Sequence, residues 1–319
     1  MTQTLLNELA PKTIDELLCA RNWYEKQTPG ELILLNTAEG HDVYNITAPF
    51  DYEGEPVIAG RTEERTDEVR TLTRFFRQHN DTWIHDESLP SLSLQDPFVT
   101  TIAEQWIVGG VKVFPVDDAP SEVDRWETHI YRGSDLRSLG LFVVGPNKMK
   151  DIRLVELEAG VGVFTRPQGK KGGRGKIGFT TVPRLEDITA QLLQDAAIIP
   201  GLSTDDEWGG VNEAHALEDG RIGVVGHIAR YAVGREYYPM TFIFDPLTHR
   251  VSRQQIIASR DCFPATETKK PDTENVLFSG GMKILGRLAT WYGGISDTGA
   301  GMLAEIPNPF MPDFQTSTG

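Results

Sequence analysis

The sequence predicts an all-β fold, a five-bladed β-propeller with a short N-terminal helix, and three observations carry that prediction. A polar residue at the head of an apolar strand recurs at intervals of about 53 to 62 residues, too long for helical solenoid units and suited to four-stranded blades around an axis. In order, the segments are Asp42-Val-Tyr-Asn45-Ile, Gln95-Asp96-Pro-Phe-Val, Lys150-Asp151-Ile-Arg-Leu, Asn212-Glu213-Ala-His215-Ala and Glu274-Asn275-Val-Leu-Phe. Short runs of β-branched and aromatic residues fill most of the remaining chain, bounded by Glu-Gly, Asp-Gly, Gly-Gly and Asp-Pro turns. Helix never alternates regularly with strand and no Gly/Ser- or Pro-rich linker divides the chain, which disfavours α/β folds and favours one domain over residues 1–319.

Taken from the N-terminus, residues 13–27 read as one amphipathic helix. Thr13 or Asp15 is its N-cap, and Ile14, Leu17, Leu18 and Trp23 form its apolar stripe. Blades are expected over roughly 31–90, 91–145, 146–205, 206–265 and 272–315. Strands are expected at ELILLN, PVIAGR, EQWIVGGVKVF, GVGVFTR, RIGVVGHIARYAV, MTFIFD and ATWYGGI. Leu185, Ile188, Leu192 and Leu193 share helical spacing and predict a shorter helix over 184–196. The cleanest hairpin signal is Glu218-Asp219-Gly220-Arg221. Residues 303–319 become a Pro-rich tail that either closes the last blade or frays.

Composition narrows the function classes. With 46 acidic residues against 31 basic ones the net charge is −15, which disfavours nucleic acid as a partner because phosphate neutralisation needs a basic face. No stretch approaches the roughly 20 apolar residues of a membrane span. The N-terminal text lacks the basic and continuously apolar regions of a secretory signal, and Cys19 and Cys262 are too few for a disulfide framework or a zinc cluster. A cytoplasmic protein is the expectation, with self-association left open. Against this acidic background, Arg61, Arg65 and the cluster from Arg166 to Lys176 stand out.

Common catalytic motifs do not occur. The Gly-rich text around Lys171 lacks the spacing of a phosphate loop and precedes strand-like sequence, and no GxSxG, HExxH or CxxC is present. Seven scattered histidines make a dedicated metal site unexpected, and no metal or organic cofactor is predicted. What remains is a set of carboxylates at or near the strand heads: Asp42, Asp96, Asp151, Glu213 and Asp297. Gathering several acids at one axis raises their proton affinity by repulsion and desolvation, so counter-cations or ligand hydroxyls must offset the cost. Sugars supply hydroxyls, and a protonated carboxyl is what a departing glycosidic oxygen needs. Trp208, Tyr237, Tyr238, Trp291 and Tyr292 can offer stacking faces or serve as blade core.

The same text carries a family resemblance. FSGG…WYGGISDTGAG resembles the last-blade signature of the inverting β-mannoside phosphorylases of glycoside hydrolase family 130. Gln-Asp96-Pro-Phe-Val-Thr, Val-Tyr-Asn45-Ile and Lys150-Asp151 followed by Phe-Thr-Arg166-Pro resemble three further motifs of that family, in the right order. KMKDIRLVEL, GVFTRPQG, GGRGKIGFT and NEAHALEDGRIGVVGHIARY are more similar still to the domain of unknown function 1861. That group includes the mannosyltransferase/phosphorylases of glycosyltransferase family 108, which turn over β-1,2-mannan.

The resemblance implies an enzyme acting on β-linked mannosides or manno-oligosaccharides, with inorganic phosphate or a sugar phosphate as co-substrate. Mannose 1-phosphate or GDP-mannose would be the donor. By the resemblance, Asp96 is the general acid, Asn45 and Asp297 hold mannose hydroxyls, and Lys150 and Arg166 clamp phosphate. Arg61 and Arg65 are further candidates for the anion, and Asp42, Asp151, Glu213 and Tyr292 are expected as further substrate contacts, Glu213 without a role from the resemblance. Phe98 stands where the family has Arg, and Thr165 where it has His, so the phosphate site is expected to be rebuilt from other residues, with His215 and His227 as candidates. Phosphate is already an anionic nucleophile, so inverting phosphorolysis needs one acid and a cationic clamp. Two other readings stay open. One is an inverting glycosidase with Asp42 or Asp96 as base and Glu213 as acid, roughly 6.5–9.5 Å apart; the other is a non-catalytic sugar-binding or protein-interaction propeller.

Overall fold

The computed structural model describes residues 10–20, 29–117 and 119–311. The fold is mostly β, and its antiparallel strands fall into successive groups along the chain. In the first, His41–Tyr44, Glu55–Glu64, Leu72–His79 and Thr82–His85 pair in sequence order, with Phe50–Tyr52 added beside Glu55–Glu64. Gln95–Ile102, Gln105–Val116, Ala119–Gly133 and Gly140–Val144 form a separate four-stranded sheet. Another joins Arg153–Leu157, Gly160–Thr165, Gly178–Val182 and the short Ala197–Ile198. Next come Trp208–Ala216, Ile222–Tyr231, Arg235–Asp245 and Arg250–Ile256, and then Asn275–Leu285, Leu288–Ile295 and Gly299–Pro307.

The strand Glu31–Asn36 was expected to open the first blade, and its pairing places it elsewhere. Glu31, Leu32 and Ile33 pair antiparallel with Met302, Gly301 and Ala300, while Leu34–Asn36 run parallel beside Thr82–Ile84. It therefore completes the last group and bridges it to the first. Tight turns set the hairpins: Tyr52 pairs with Glu55 across Glu53 and Gly54, whose φ values of 59° and 81° are those of the two-residue turn that matches strand twist. The hairpin around Asp219-Gly220 forms as the sequence predicts.

The helices are shorter than their apolar spacing suggests. Ile14–Cys19 is helical, capped by Thr13, whose hydroxyl accepts from the Glu16 amide at 3.2 Å while the Glu16 carboxylate accepts from the Thr13 amide at 2.8 Å. Residues 21–28, with Trp23, lie outside the described residues, as does the tail beyond 311. Ile14 and Leu17 are fully buried, and the Ile14 amide donates to Glu207 at 2.7 Å, which docks the helix beside the strand Arg250–Ile256. Over 184–196 a 3-10 turn, Leu185–Asp187, precedes the helix Ala190–Asp195. Thr189 caps the Leu192 amide and so starts a new helix rather than continuing the first turn.

Between the groups, apolar clusters fill the space. Phe164, Phe179 and Phe244 meet at centroid distances of 4.7–5.9 Å, and fully buried Trp291 donates its indole N–H to Ser279 at 2.9 Å. Burial of each such side chain contributes about 1.5–3 kcal/mol, enough to fix the strand heads that face the interior. Among the described residues, no helix is long and apolar enough to cross a membrane.

Candidate active site

Three strand heads share one unusual backbone state. Asn45, Asp96 and Asp151 adopt left-handed φ values of 48°, 50° and 54°, a region that Asn and Asp tolerate better than other side chains. At Asp96 the pairing with Gln105–Val116 skips a register, so the residue leaves the ladder and turns its carboxylate inward. These three heads, with Lys150, Arg61, Arg166 and Asp297, border one small cavity of about 110 Å³. It shares Arg61, Lys150, Arg166 and Asp297 with a wider vestibule of about 500 Å³, whose wall includes Trp126, Arg174 and Trp208.

The cavity is charged and mixed in sign. Asp96 Oδ1 accepts from Asn45 Nδ2 at 2.7 Å and from Arg61 Nη1 at 3.3 Å. Asp151 accepts from Arg166 Nη1 at 2.9 Å, and buried Arg153 stands 3.8 Å away. Burial alone would raise the proton affinity of Asp151, but Arg166, His227, Arg153 and Lys150 outweigh it and hold this carboxyl below its ordinary value. Lys150 is half-buried over the Trp126 ring at 5.7 Å, and desolvation lowers its pKa against the pull of Asp96 and Asp151. Asp297 behaves oppositely: burial, with Asp96 and Glu68 nearby, pushes it up to about 6 despite Arg61 and Arg235.

Four polar atoms around the cavity are buried without a hydrogen-bond partner among the described residues: Asn45 Oδ1, Asp151 Oδ1, His227 Nε2 and Arg166 Nε. His227 Nδ1 lies 2.9 Å from Asn212 Oδ1; donating there leaves Nε2 as an acceptor. Burial pushes His227 down to about 3, so it is neutral at ordinary pH. The set therefore comprises three acceptors and one cationic donor, which a ligand with several hydroxyls and an anionic oxygen would satisfy.

The family described as a protein of unknown function, DUF1861, matches residues 21–312. The chain belongs to that family. It is similar to a mannose phosphorylase from Leishmania mexicana in complex with a phosphate ion, at 28% identity over 93% of both chains with a TM-score of 0.84. It is also similar to a GDP-Man-dependent mannosyltransferase from Leishmania mexicana, at 28% identity over 93% of this chain and 95% of that one, with a TM-score of 0.82. A β-1,2-mannobiose phosphorylase from Listeria innocua, in complex with β-1,2-mannobiose, shares the fold at 15% identity, over 85% of this chain and 92% of that one, with a TM-score of 0.61. Among curated proteins, none matches the chain.

In this DUF1861 chain, five residues expected at the pocket lie elsewhere. Asp42 is buried against Arg65 at 2.6 Å, with Lys269 at 4.0 Å, and Arg65 also reaches Glu267; neither Asp42 nor Arg65 lines the cavity. Asn45, three residues on, is the position equivalent to Asp96. Glu213 accepts from the Met282 amide at 2.6 Å and from His215 at 3.0 Å, away from the pocket. A bulge between Val211 and Glu213 places Asn212 inward instead, and a one-residue slip in a strand reverses the face. Burial lowers the proton affinity of His215, but the Glu213 carboxylate more than compensates, so its pKa is raised. Tyr292 packs with Val43, Ile46 and Phe76 in the apolar core.

Among the other wall residues, Arg235 carries no motif, whereas His227 and Phe278 lie inside the family-like strings and Tyr237 among the candidate stacking faces; all four sit on strands that read as apolar or mixed. The usable signal was glycine: at Gly210 a Cβ would lie 2.7 Å from both Asp151 Oδ2 and His227 Cε1, so only Gly leaves room there. Gly210→Ala is expected to lower melting stability by about 1–3 kcal/mol through overpacking. Ligand affinity should fall with it; a variant with wild-type melting and ligand binding would remove Gly210 from the pocket wall. The two departures from the family pattern also have places. Phe98 lies under the Arg153 guanidinium at 4.7 Å, and Arg153 in turn donates to the Asp96 carbonyl at 3.4 Å. Thr165 is buried, and its hydroxyl has no partner.

Proposed function

We propose that this chain is a carbohydrate-active enzyme of the β-mannoside phosphorylase/mannosyltransferase kind, built as one five-bladed propeller domain. The observation that carries the reading is the pairing, in one cavity, of the Asp96 carboxylate and unpaired hydroxyl acceptors with the cations Arg61, Lys150 and Arg166. Both Leishmania relatives support it, since one is named a mannose phosphorylase and was solved with phosphate, and the other is named a GDP-Man-dependent mannosyltransferase.

In the phosphorolytic direction, a phosphate oxygen attacks the anomeric carbon from the face opposite the leaving oxygen, and the glycosidic C–O bond breaks with inversion. The departing oxygen takes a proton whose source is Asp96, passed through a mannose hydroxyl as the resemblance implies. Asn45, Asp151, His227 and Asp297 hold sugar hydroxyls, and Arg61, Lys150 and Arg166 bind the phosphate. Synthesis from mannose 1-phosphate is the reverse, and in GDP-mannose the donor's own phosphate would occupy the same clamp. Inorganic phosphate or a sugar phosphate is the only co-substrate the proposal needs. Glu213 faces the Met282 amide rather than the cavity, which leaves the glycosidase reading without its acid.

Incubation with mannose 1-phosphate and mannose or a short β-mannoside is expected to release phosphate and lengthen the acceptor. Absence of turnover with those acceptors, and with GDP-mannose as donor, would overturn the proposal.

A further inference from the structure

Glu63 is a buried acidic side chain that lines neither cavity and is bonded by three other side chains. Its side chain is inaccessible to solvent. Oε2 accepts from Arg61 Nε at 2.9 Å, while Oε1 accepts from the Tyr44 hydroxyl at 2.6 Å and from the Lys269 ammonium. The Arg61 guanidinium also lies over the Tyr44 ring at 4.9 Å and gives Nη1 to Asp96. Three constraints thus fix the plane of Arg61 and leave Nη2 as the guanidinium nitrogen without a hydrogen-bond acceptor among the described residues.

We infer that Glu63, anchored by Lys269, is the positioning residue that aims Arg61 at the anion. The inference rests on the anion-binding reading of the cavity given above. Lys269 belongs to the segment between the strands Arg250–Ile256 and Asn275–Leu285, and its backbone amide donates to the Ser296 carbonyl at 3.1 Å. One residue therefore ties the turn that carries Asp297 to the side chain that orients Arg61. A buried carboxylate bonded by two cations holds direction far better than a solvated pair, because moving any partner leaves a charge uncompensated. Arg61 alone has long side-chain freedom, and fixing it beforehand removes that entropy from the cost of binding.

The test is calorimetry of inorganic phosphate, and separately of a short β-linked mannoside without phosphate, on the full chain and on Glu63→Gln. The variant is expected to bind phosphate about tenfold more weakly and the mannoside as the wild type does. A general loss of structure would weaken both. Should Glu63→Gln fail to fold, Tyr44→Phe, which removes one bond to Glu63 and keeps the ring, is expected to weaken phosphate selectively by a smaller factor. Unchanged phosphate affinity in both variants, or equal loss for phosphate and mannoside, overturns the positioning role while wild-type phosphate binding still stands. Wild-type protein that binds the mannoside but no phosphate overturns the anion reading and this inference together.

Discussion

Asp96→Asn is expected to lower turnover by about 10²–10⁴-fold, the usual contribution of a positioned general acid, while the chain melts close to the wild-type temperature. The substitution keeps an oxygen for Asn45 Nδ2 and Arg61 Nη1 to bond, and Arg61 remains held by Glu63. What it removes is the transferable proton. Initial rates of phosphate release from mannose 1-phosphate and a β-mannoside acceptor measure the effect. A variant that keeps more than about a tenth of wild-type turnover would assign the proton elsewhere, since a tenfold loss is only about 1.4 kcal/mol of barrier. Asp297, a second carboxyl on the cavity wall that also borders the vestibule, would then be the next donor to replace.

Asp297→Asn should change stability in a pH-dependent way. Burial, reinforced by Asp96 and Glu68, raises the folded pKa of Asp297 from 3.8 to about 6. A carboxyl shifted upward stabilises the fold fully only below its unfolded pKa, and that contribution is lost as pH rises through the folded value. Across this window the loss amounts to about 3 kcal/mol at most, at roughly 1.36 kcal/mol per unit. The Asn variant never ionises, so it should melt higher than the wild type at pH 7.5 and at the same temperature near pH 4. Equal melting at both pH values would mean that Asp297 is solvated or compensated in solution. The same variant should lose any limb near pH 6 in the rate profile, if that limb belongs to this group.

Much of the architecture was legible because strand periodicity and turn chemistry are local. The hairpin at Asp219-Gly220 needs only its own residues, and every strand text singled out in the sequence contains a strand, with Glu104, Arg166, Arg221, Ala232 and Val233 falling outside the strand ends. The pocket was legible in part: Asn45, Arg61, Asp96, Lys150, Asp151, Arg166 and Asp297 line it, while Asp42, Arg65, Glu213, His215 and Tyr292 do not. Asp42 and Glu213 looked like strand heads because each is an acid before an apolar run, yet the inward positions are Asn45 and Asn212. A bulge decides which residue faces inward, and a bulge depends on the neighbouring strand, which no local pattern reports. Asn45, Asp96 and Asp151 share a left-handed backbone, which Asn and Asp tolerate better than most side chains. Arg235 carries no local signal, and His227 enters the sequence reading only as a candidate for the rebuilt phosphate site: each lies within a strand or at its edge, and only the packing of distant groups turns it toward the cavity.

The strand Glu31–Asn36 has a consequence for the order in which this protein is made. Its antiparallel partners lie about 270 residues further on, and such distant contacts form late because the intervening loop must first be closed. During synthesis, then, Leu34–Asn36 meet their parallel partners Thr82–Ile84 early, while Glu31–Ile33 stay without their antiparallel mates until Ala300–Met302 have been made. Until that moment Leu32 has an open strand edge beside it, the kind of edge that invites pairing with another chain.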